Sequence, residues 1–128
     1  MRRILIDTHV FLWWLQDNKL LGKISKKLIG DGTNEIYVSA VSIWEISIKK
    51  SLGKLQAPDG LVIIVEEEGF EKLDISLHHA ELIANLPKIH NDPFDRMLIA
   101  QAMANGTELM TADTIIPQYS VKTIDAAK

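Results

Sequence analysis

Two carboxylates stand in the first turn of a strongly apolar segment that is predicted to be a helix from Pro93 to Asn105. Asp92 directly precedes Pro93, which is the usual pattern of an N-cap followed by proline at the first helical position. A cap does not require Asp95 as well, although the helix dipole favours an acid there by about 0.3–1 kcal/mol. A pair of acids in one turn is suited to bind a cation, provided that other acids meet Asp95.

Three further acids lie at positions from which they can reach the same place. Asp7 ends the buried apolar run Arg3–Ile6, and Asp113 comes just after a second apolar run at 108–111. Glu45 falls in a helix predicted to follow another strand. Ser42-x-x-Glu45 also matches a capping box, so Glu45 has a structural interpretation in which its carboxylate bonds the Ser42 backbone N–H.

The predicted elements bring these acids together. The expected strands are 3–6, 36–40, 70–75, 108–111 and 121–124, and the expected helices are 10–15, 20–29, 42–53, 58–68, 76–86 and 93–105. Short buried strands that alternate with helices indicate an α/β fold, a three-layer α/β/α sandwich with a central parallel sheet. In such sheets, ligands bind beyond the carboxyl ends of the strands. We therefore expect Asp7, Glu45, Asp95 and Asp113 in one cleft.

Four converging carboxylates repel one another, and the sequence suggests no lysine or arginine among them. Like charges in one site disfavour joint ionisation, and a divalent cation removes that conflict. Ligands that are all oxygen indicate Mg²⁺ or Mn²⁺, and carboxylate-bound Mg²⁺ recurs in phosphodiester chemistry.

Length and composition restrict the class of protein. The 128 residues predict a single domain, 1–128, and the absence of cysteine excludes disulfides and thiolate sites. A net charge of −3 does not provide the positive field of a general nucleic-acid binder, so an RNA partner requires a local patch or metal ions. No export signal or membrane-spanning segment is recognisable, and we expect a cytoplasmic protein without membrane contact.

Two other phosphate-handling classes fit the sequence less well. A haloacid-dehalogenase-like phosphatase requires a second aspartate at position 9, where this chain has His9. No glycine-rich phosphate-binding motif follows a strand, which excludes the common nucleotide-binding modules. His78 and His79 have no partner at metal-ligand spacing, so we expect structural roles for them.

Four segments together resemble the PIN domain family, and in particular the VapC toxins of prokaryotic toxin–antitoxin pairs. The segments are Ile6-Asp7-Thr8, Ser39-Ala40-Val41-Ser42-Ile43-Trp44-Glu45, Asp92-Pro93-Phe94-Asp95-Arg96-x-Leu98-Ile99-Ala100-x-Ala102 and Leu109-Met110-Thr111-Ala112-Asp113. They occur in the family's order over nearly the whole chain. The four family acids fall on Asp7, Glu45, Asp95 and Asp113, and all four are present.

The resemblance implies a Mg²⁺- or Mn²⁺-dependent endoribonuclease that cuts single-stranded or loop RNA. Asp7, Asp95 and Asp113 are then expected to bind or orient the ions. Glu45 is either a ligand or the base for the attacking water. Asp92 caps the helix, supports the metal shell, or shares the role of Asp95.

The resemblance also implies partners. A cognate antitoxin is expected to hold such an enzyme inactive, and a homodimer is the expected assembly. Lys49, Lys50 and Lys54 either contact RNA phosphates or are solvated charges at a helix end. The alternative to an enzyme is a non-catalytic PIN-like domain that binds RNA or protein.

Overall fold

A single central sheet organises the molecule, and the computed structural model describes all 128 residues. Its five strands are β1 (Arg3–Ile6), β2 (Glu35–Ser39), β3 (Glu71–Leu73), β4 (Glu108–Thr111) and β5 (Thr123–Asp125). All neighbouring strands pair in parallel, in the order β3-β2-β1-β4-β5. The predicted parallel α/β fold is confirmed, with β5 at an edge as expected.

Helices connect these strands. They are α1 (Thr8–Gln16), α2 (Lys23–Gly30), α3 (Ala40–Ser51), α4 (Leu61–Glu67), α5 (Leu77–Leu82) and α6 (Pro93–Asn105). Short 3-10 turns occupy Ile83–Asn85 and Ile116–Gln118. None of the helices is both long and apolar enough to cross a membrane.

The side chains of β1 divide between the two faces of the sheet, since successive residues of a strand point in opposite directions. Ile4 and Ile6 belong to a core cluster with residues of α1, α2 and α4. Leu5 belongs to a second cluster, to which α6 contributes Leu98 and Ile99. All five of these side chains are fully buried. The sheet is therefore covered on both sides, which completes the three-layer sandwich.

The start of α3 corrects one sequence-based expectation. Ser39 is the N-cap, because its hydroxyl accepts the Val41 backbone N–H at 3.1 Å. Ser42 consequently lies inside the helix, where its buried hydroxyl hydrogen-bonds with the Thr8 hydroxyl at 3.0 Å. The predicted capping box between Ser42 and Glu45 is wrong, and Glu45 is free of that structural role.

Two other helices differ in how well they agree with the prediction from the sequence. α5 begins after Ser76, which exchanges hydrogen bonds with the buried His79 in a capping box, so a structural role for His79 is confirmed. The helix expected over 76–86 changes to a 3-10 turn after Leu82. α6 has the predicted bounds, with Asp92 as N-cap and Gly106 as C-cap in the left-handed region.

Candidate active site

The carboxyl ends of β1 and β4 lie side by side, and the backbone N–H of Asp7 donates to Met110 at 3.1 Å. The chain leaves β1 toward β2 on one side, while β4 lies on the other side, so strand order reverses here. A ligand crevice forms at such a point in parallel sheets. Asp7 and Asp113 both stand at this position.

Asp7 ends β1 and caps α1 at the same time. Its Oδ1 accepts the Val10 backbone N–H at 2.9 Å, and the Thr111 side chain also hydrogen-bonds its carboxylate. The residue is 4% exposed. Burial raises the pKa of Asp7 above its ordinary value, against the lowering effect of these hydrogen bonds. The site therefore holds a carboxylate whose negative charge is poorly solvated.

Asp113 is held by backbone groups beyond β4. Its own N–H donates to the Thr111 hydroxyl at 3.0 Å, and its Oδ1 accepts the N–H groups of Ile115 and Ile116 at 2.7 and 3.0 Å. Burial acts to raise the pKa of Asp113, but the hydrogen bonds from His90 and from those two amides outweigh it, so the pKa is lowered. Asp113 is thus a stably ionised member of the site.

Glu45 reaches the site from the second turn of α3. It is 3% exposed, and its Oε1 accepts the Thr8 hydroxyl at 2.7 Å. Its Oε2 pairs with the ammonium of Lys49, one helical turn later. The Glu45 charge contributes to the raised pKa of Asp7, although burial is the larger cause.

Lys49 contradicts the expectation that no basic residue lies among the acids. The hydrogen bond to Glu45 is the main cause that raises the pKa of Lys49, and the charges of Asp92 and Asp95 add to it. Lys50 instead pairs with the fully exposed Asp59. One of the three lysines considered for RNA contact or for a solvated helix end therefore lies beside the acids.

Asp92 and Asp95 differ in what holds them. The Oδ1 of Asp92 accepts the backbone N–H groups of Phe94 and Asp95 at 2.8 and 3.3 Å, so its role as a helix cap is confirmed. The Asp95 carboxylate receives no backbone N–H group and contacts only His90, at 3.2 Å. Asp95 is therefore the acid of the cluster with the fewest compensating contacts.

The surroundings of Asp95 raise its pKa to about 7. Burial is the largest cause, followed by the negative charges of Asp92 and Asp7. His90 opposes the shift, and Asp113 adds a smaller contribution to it. Asp95 is thus affected by the charges of Asp7, Asp92 and Asp113. Of the four predicted acids, Asp95 and Asp113 belong to the group whose ligand atoms lie within 4.8 Å of one another, and Asp7 and Glu45 do not.

His90 is a site residue that sequence reasoning missed. It is 8% exposed, and its Nε2 lies 3.0 Å from Oδ2 of Asp113 and 3.2 Å from Oδ2 of Asp95. The ligand atoms of these three residues all lie within 4.8 Å of one another. The available signal was its place two residues before Asp92, but nothing in the spacing alone directs its ring toward Asp113.

A network around Tyr119 holds the segment that carries His90. The Tyr119 hydroxyl accepts the backbone N–H groups of Ile89 and His90 at 3.2 and 2.7 Å and donates to the Pro87 carbonyl at 2.8 Å. Arg96 also donates to the Pro87 carbonyl, at 3.0 Å. The network links α6, the preceding loop and the segment after β4.

The donor set suits a hard divalent cation. Carboxylate oxygens are the ligands that Mg²⁺ prefers, and a cation relieves the repulsion that raises the pKa of Asp95. Asp95, Asp113 and His90 have the spacing of a metal-binding group. The residues present therefore fit a metal ion at this edge of the sheet.

Comparison with known proteins identifies the fold family. The PIN domain model matches residues 4–122. The chain belongs to the PIN domain family. That match covers every acid of the site, from Asp7 to Asp113, and ends just before the edge strand β5.

A curated relative and several solved structures resemble this PIN domain over nearly its whole length. Ribonuclease VapC22 of Mycobacterium tuberculosis is 26% identical over 116 residues, which cover 88% of each chain. VapBC2 from Rickettsia felis bound to a promoter DNA fragment has a TM-score of 0.70 at 16% identity, covering 95% of this chain and 97% of that one. DNA-bound VapBC from Salmonella typhimurium has a TM-score of 0.62 at 17% identity, covering 97% and 98%. At these identities, the structures establish the fold.

Proposed function

We propose that this PIN domain is a metal-dependent endoribonuclease, a VapC-like toxin that hydrolyses phosphodiester bonds in single-stranded or loop RNA. The observation that carries the proposal is the acidic cluster at the strand-order reversal, where burial and then neighbouring negative charges raise the pKa of Asp95 to about 7. A structural cap does not need such a cluster. The name of the curated relative, Ribonuclease VapC22, supports the choice of RNA as substrate.

In this proposal, Asp7, Asp95 and Asp113 hold Mg²⁺ or Mn²⁺. A bound divalent ion supplies Lewis-acid stabilisation of phosphate charge and lowers the pKa of water. Asp92 keeps one carboxylate oxygen outside the helix cap, since both backbone N–H groups bond its Oδ1. We assign that second oxygen to the support of the metal site through water.

Glu45 is the fourth catalytic acid of the proposal, as a ligand or as the base for the attacking water. Both of its oxygens are engaged, one by Thr8 and one by Lys49. The Lys49 side chain is 37% exposed, so its ammonium can move toward an RNA phosphate at the rim of the site. That movement frees Oε2 of Glu45 for the cation or for a proton from water.

We further propose that a cognate antitoxin holds the enzyme inactive, that the active form is a homodimer, and that both act in the cytoplasm. The support is the likeness to VapBC structures from Rickettsia felis and Salmonella typhimurium. Expression of the chain alone is then expected to slow growth. Expression of Asp7→Asn at the same level is expected to be harmless, and equal toxicity of the two would contradict the catalytic account.

Cleavage by the purified protein tests the enzymatic proposal directly. A single-stranded RNA oligonucleotide is incubated with Mg²⁺, with Mn²⁺ or with EDTA, and the products are resolved by length. We expect cleavage only with metal, and a loss of at least about a hundredfold in Asp95→Asn. Asp59→Asn, a fully exposed carboxylate outside the site, is the matched control. Metal-dependent binding of RNA without cleavage would instead favour a non-catalytic PIN-like domain.

A further inference from the structure

The ring of His90 is held by hydrogen bonds at both of its nitrogens. Nε2 lies 3.0 Å from Oδ2 of Asp113 and 3.2 Å from Oδ2 of Asp95. On the other side, Nδ1 accepts the backbone N–H of Asp92 at 3.1 Å. Because the residue is only 8% exposed, water does not compete for these contacts.

The contact with Asp92 determines which nitrogen of the neutral ring carries the proton. A backbone N–H is a donor only, so Nδ1 must present its lone pair to it. The proton of the neutral imidazole is then on Nε2, where it points at the two carboxylates. His90 is therefore a hydrogen-bond donor to Asp113, and the same N–H group lies 3.2 Å from the Asp95 carboxylate.

A metal-ligand role for His90 conflicts with this arrangement. Coordination through Nε2 uses its lone pair and leaves the proton of a neutral ring on Nδ1. That proton would face the Asp92 N–H, so two donors would oppose each other. The spacing of His90, Asp95 and Asp113 permits a three-ligand site, but the hydrogen bond at Nδ1 decides against the histidine as a ligand.

We propose that His90 is a positioning residue, whose Nε2–H bonds Asp113, lies 3.2 Å from Asp95, and so holds both carboxylates at the spacing that a divalent cation requires. The inference rests on the cation site of the proposed function. Asp95 lies in the first turn of α6 and Asp113 follows β4, so no backbone contact ties one carboxylate to the other. A donor between them offsets their repulsion and leaves other oxygen lone pairs free for an ion.

The surrounding network keeps that donor in place. The His90 backbone N–H donates to the Tyr119 hydroxyl at 2.7 Å, and Arg96 donates to the same hydroxyl at 3.3 Å. Both partners are themselves anchored to the Pro87 carbonyl. A side chain fixed by its supporting contacts positions a binding site more accurately than a mobile one.

Direct Mn²⁺ binding tests the role of His90 without an RNA substrate. The electron paramagnetic resonance signal of free Mn²⁺ reports the bound fraction for the wild-type 128-residue protein and its variants. His90→Leu fills the space without a donor, and we expect its Mn²⁺ affinity to fall by about 10–100-fold. His90→Gln places an N–H₂ group where Nε2 lies, and we expect it to stay within about threefold of wild type. His78→Leu, at an exposed histidine on α5, is the matched control.

The protonation state of the wild-type ring provides a second readout that does not depend on the variants folding. A long-range ¹H–¹⁵N spectrum at about pH 8 distinguishes the protonated from the unprotonated ring nitrogen. We expect the proton on Nε2, both in EDTA and after addition of diamagnetic Mg²⁺. Loss of the Nε2 proton when Mg²⁺ is added would make His90 a ligand and would overturn the inference.

The outcomes separate this inference from the proposed function. If the wild type binds Mn²⁺ and a folded His90→Leu variant binds it with equal affinity, the role of His90 is overturned and the cation site remains intact. Weak binding in both His90→Leu and His90→Gln would also overturn it, because the donor would then not be what matters. Wild type that does not bind Mn²⁺ would overturn both proposals.

Discussion

Replacing Asp95 with asparagine is expected to stabilise the metal-free protein at about pH 8. The pKa of this carboxyl, raised from 3.8 to about 7, corresponds to about 4 kcal/mol if the whole difference acts on folding. The Asp95 side chain is 20% exposed, so water screens part of the repulsion. We therefore expect about 1–2 kcal/mol, which is about 3–8 °C in melting temperature for a domain of this size.

The sign of the effect follows from proton linkage. The folded protein binds the Asp95 proton more tightly than the unfolded chain does, because the folded-state pKa is raised. Its free energy of unfolding therefore falls as pH rises from about 4 to about 7 and remains low above that range. The gain in free energy of unfolding of Asp95→Asn over the wild type is expected to be largest at about pH 8 and to decrease toward pH 5.

Added metal is expected to reverse the order of the two proteins. Mn²⁺ at about a hundred times its dissociation constant adds about 2.7 kcal/mol to the free energy of unfolding of the wild type. Asp95→Asn lacks one proposed ligand and should gain less. Thermal melts of both proteins with EDTA and with Mn²⁺, at fixed ionic strength and at two pH values, measure both effects.

Asp59→Asn is the control for the general effect of removing a negative charge. Asp59 is fully exposed, and its pairing with Lys50 lowers its pKa, so its neutralisation is not expected to stabilise the protein. The reasoning is refuted if Asp95→Asn melts below wild type in EDTA at about pH 8 while wild type is indifferent to Mn²⁺. Asp95 would then contribute to stability as an ordinary structural acid.

Three other substitutions test separate contacts of the site. Asp92→Asn preserves the helix cap, so RNA cleavage should fall much less than in Asp95→Asn; equal losses in initial-rate assays would make the two acids joint ligands. Lys49→Met leaves the buried Glu45 carboxylate without its cation, and urea unfolding should show a loss of about 1–2 kcal/mol after allowance for the exposed lysine. Tyr119→Phe removes the hydroxyl that bonds two backbone amides and should cost about 1–3 kcal/mol in the same measurement; no loss would show that the loop is held without it.

The local features of the fold were predictable because they depend on near neighbours in the chain. The apolar run Arg3–Ile6 has the length and composition of a buried strand, and the strand is found there. Asp92-Pro93 and Gly106 carry their own backbone preferences, so the bounds of α6 agree with the prediction. Parallel pairing follows from the helical crossovers, and it brings the ends of β1 and β4 together.

Helix starts were less predictable where two polar residues compete for the same role. Ser39 and Ser42 are both able to cap a helix, and a sequence pattern favours Ser42 because Glu45 follows it. The fold selects Ser39, since β2 ends there and the chain turns at once into α3. This shift of three residues directs Glu45 to Thr8 instead of back to its own helix start.

The sequence by itself predicted which acids face this edge of the sheet, since each follows a strand or lies in the first two turns of a helix. Only the tertiary structure decided which other side chains contact these acids. His90 and Asp113 are 23 residues apart, and their contact depends on a loop that Tyr119 and Arg96 hold in place. Lys49 turns to Glu45 instead of solvent because an unpaired buried carboxylate is costly. Such contacts depend on side-chain direction and burial, and neither is encoded in the spacing of residues along the chain.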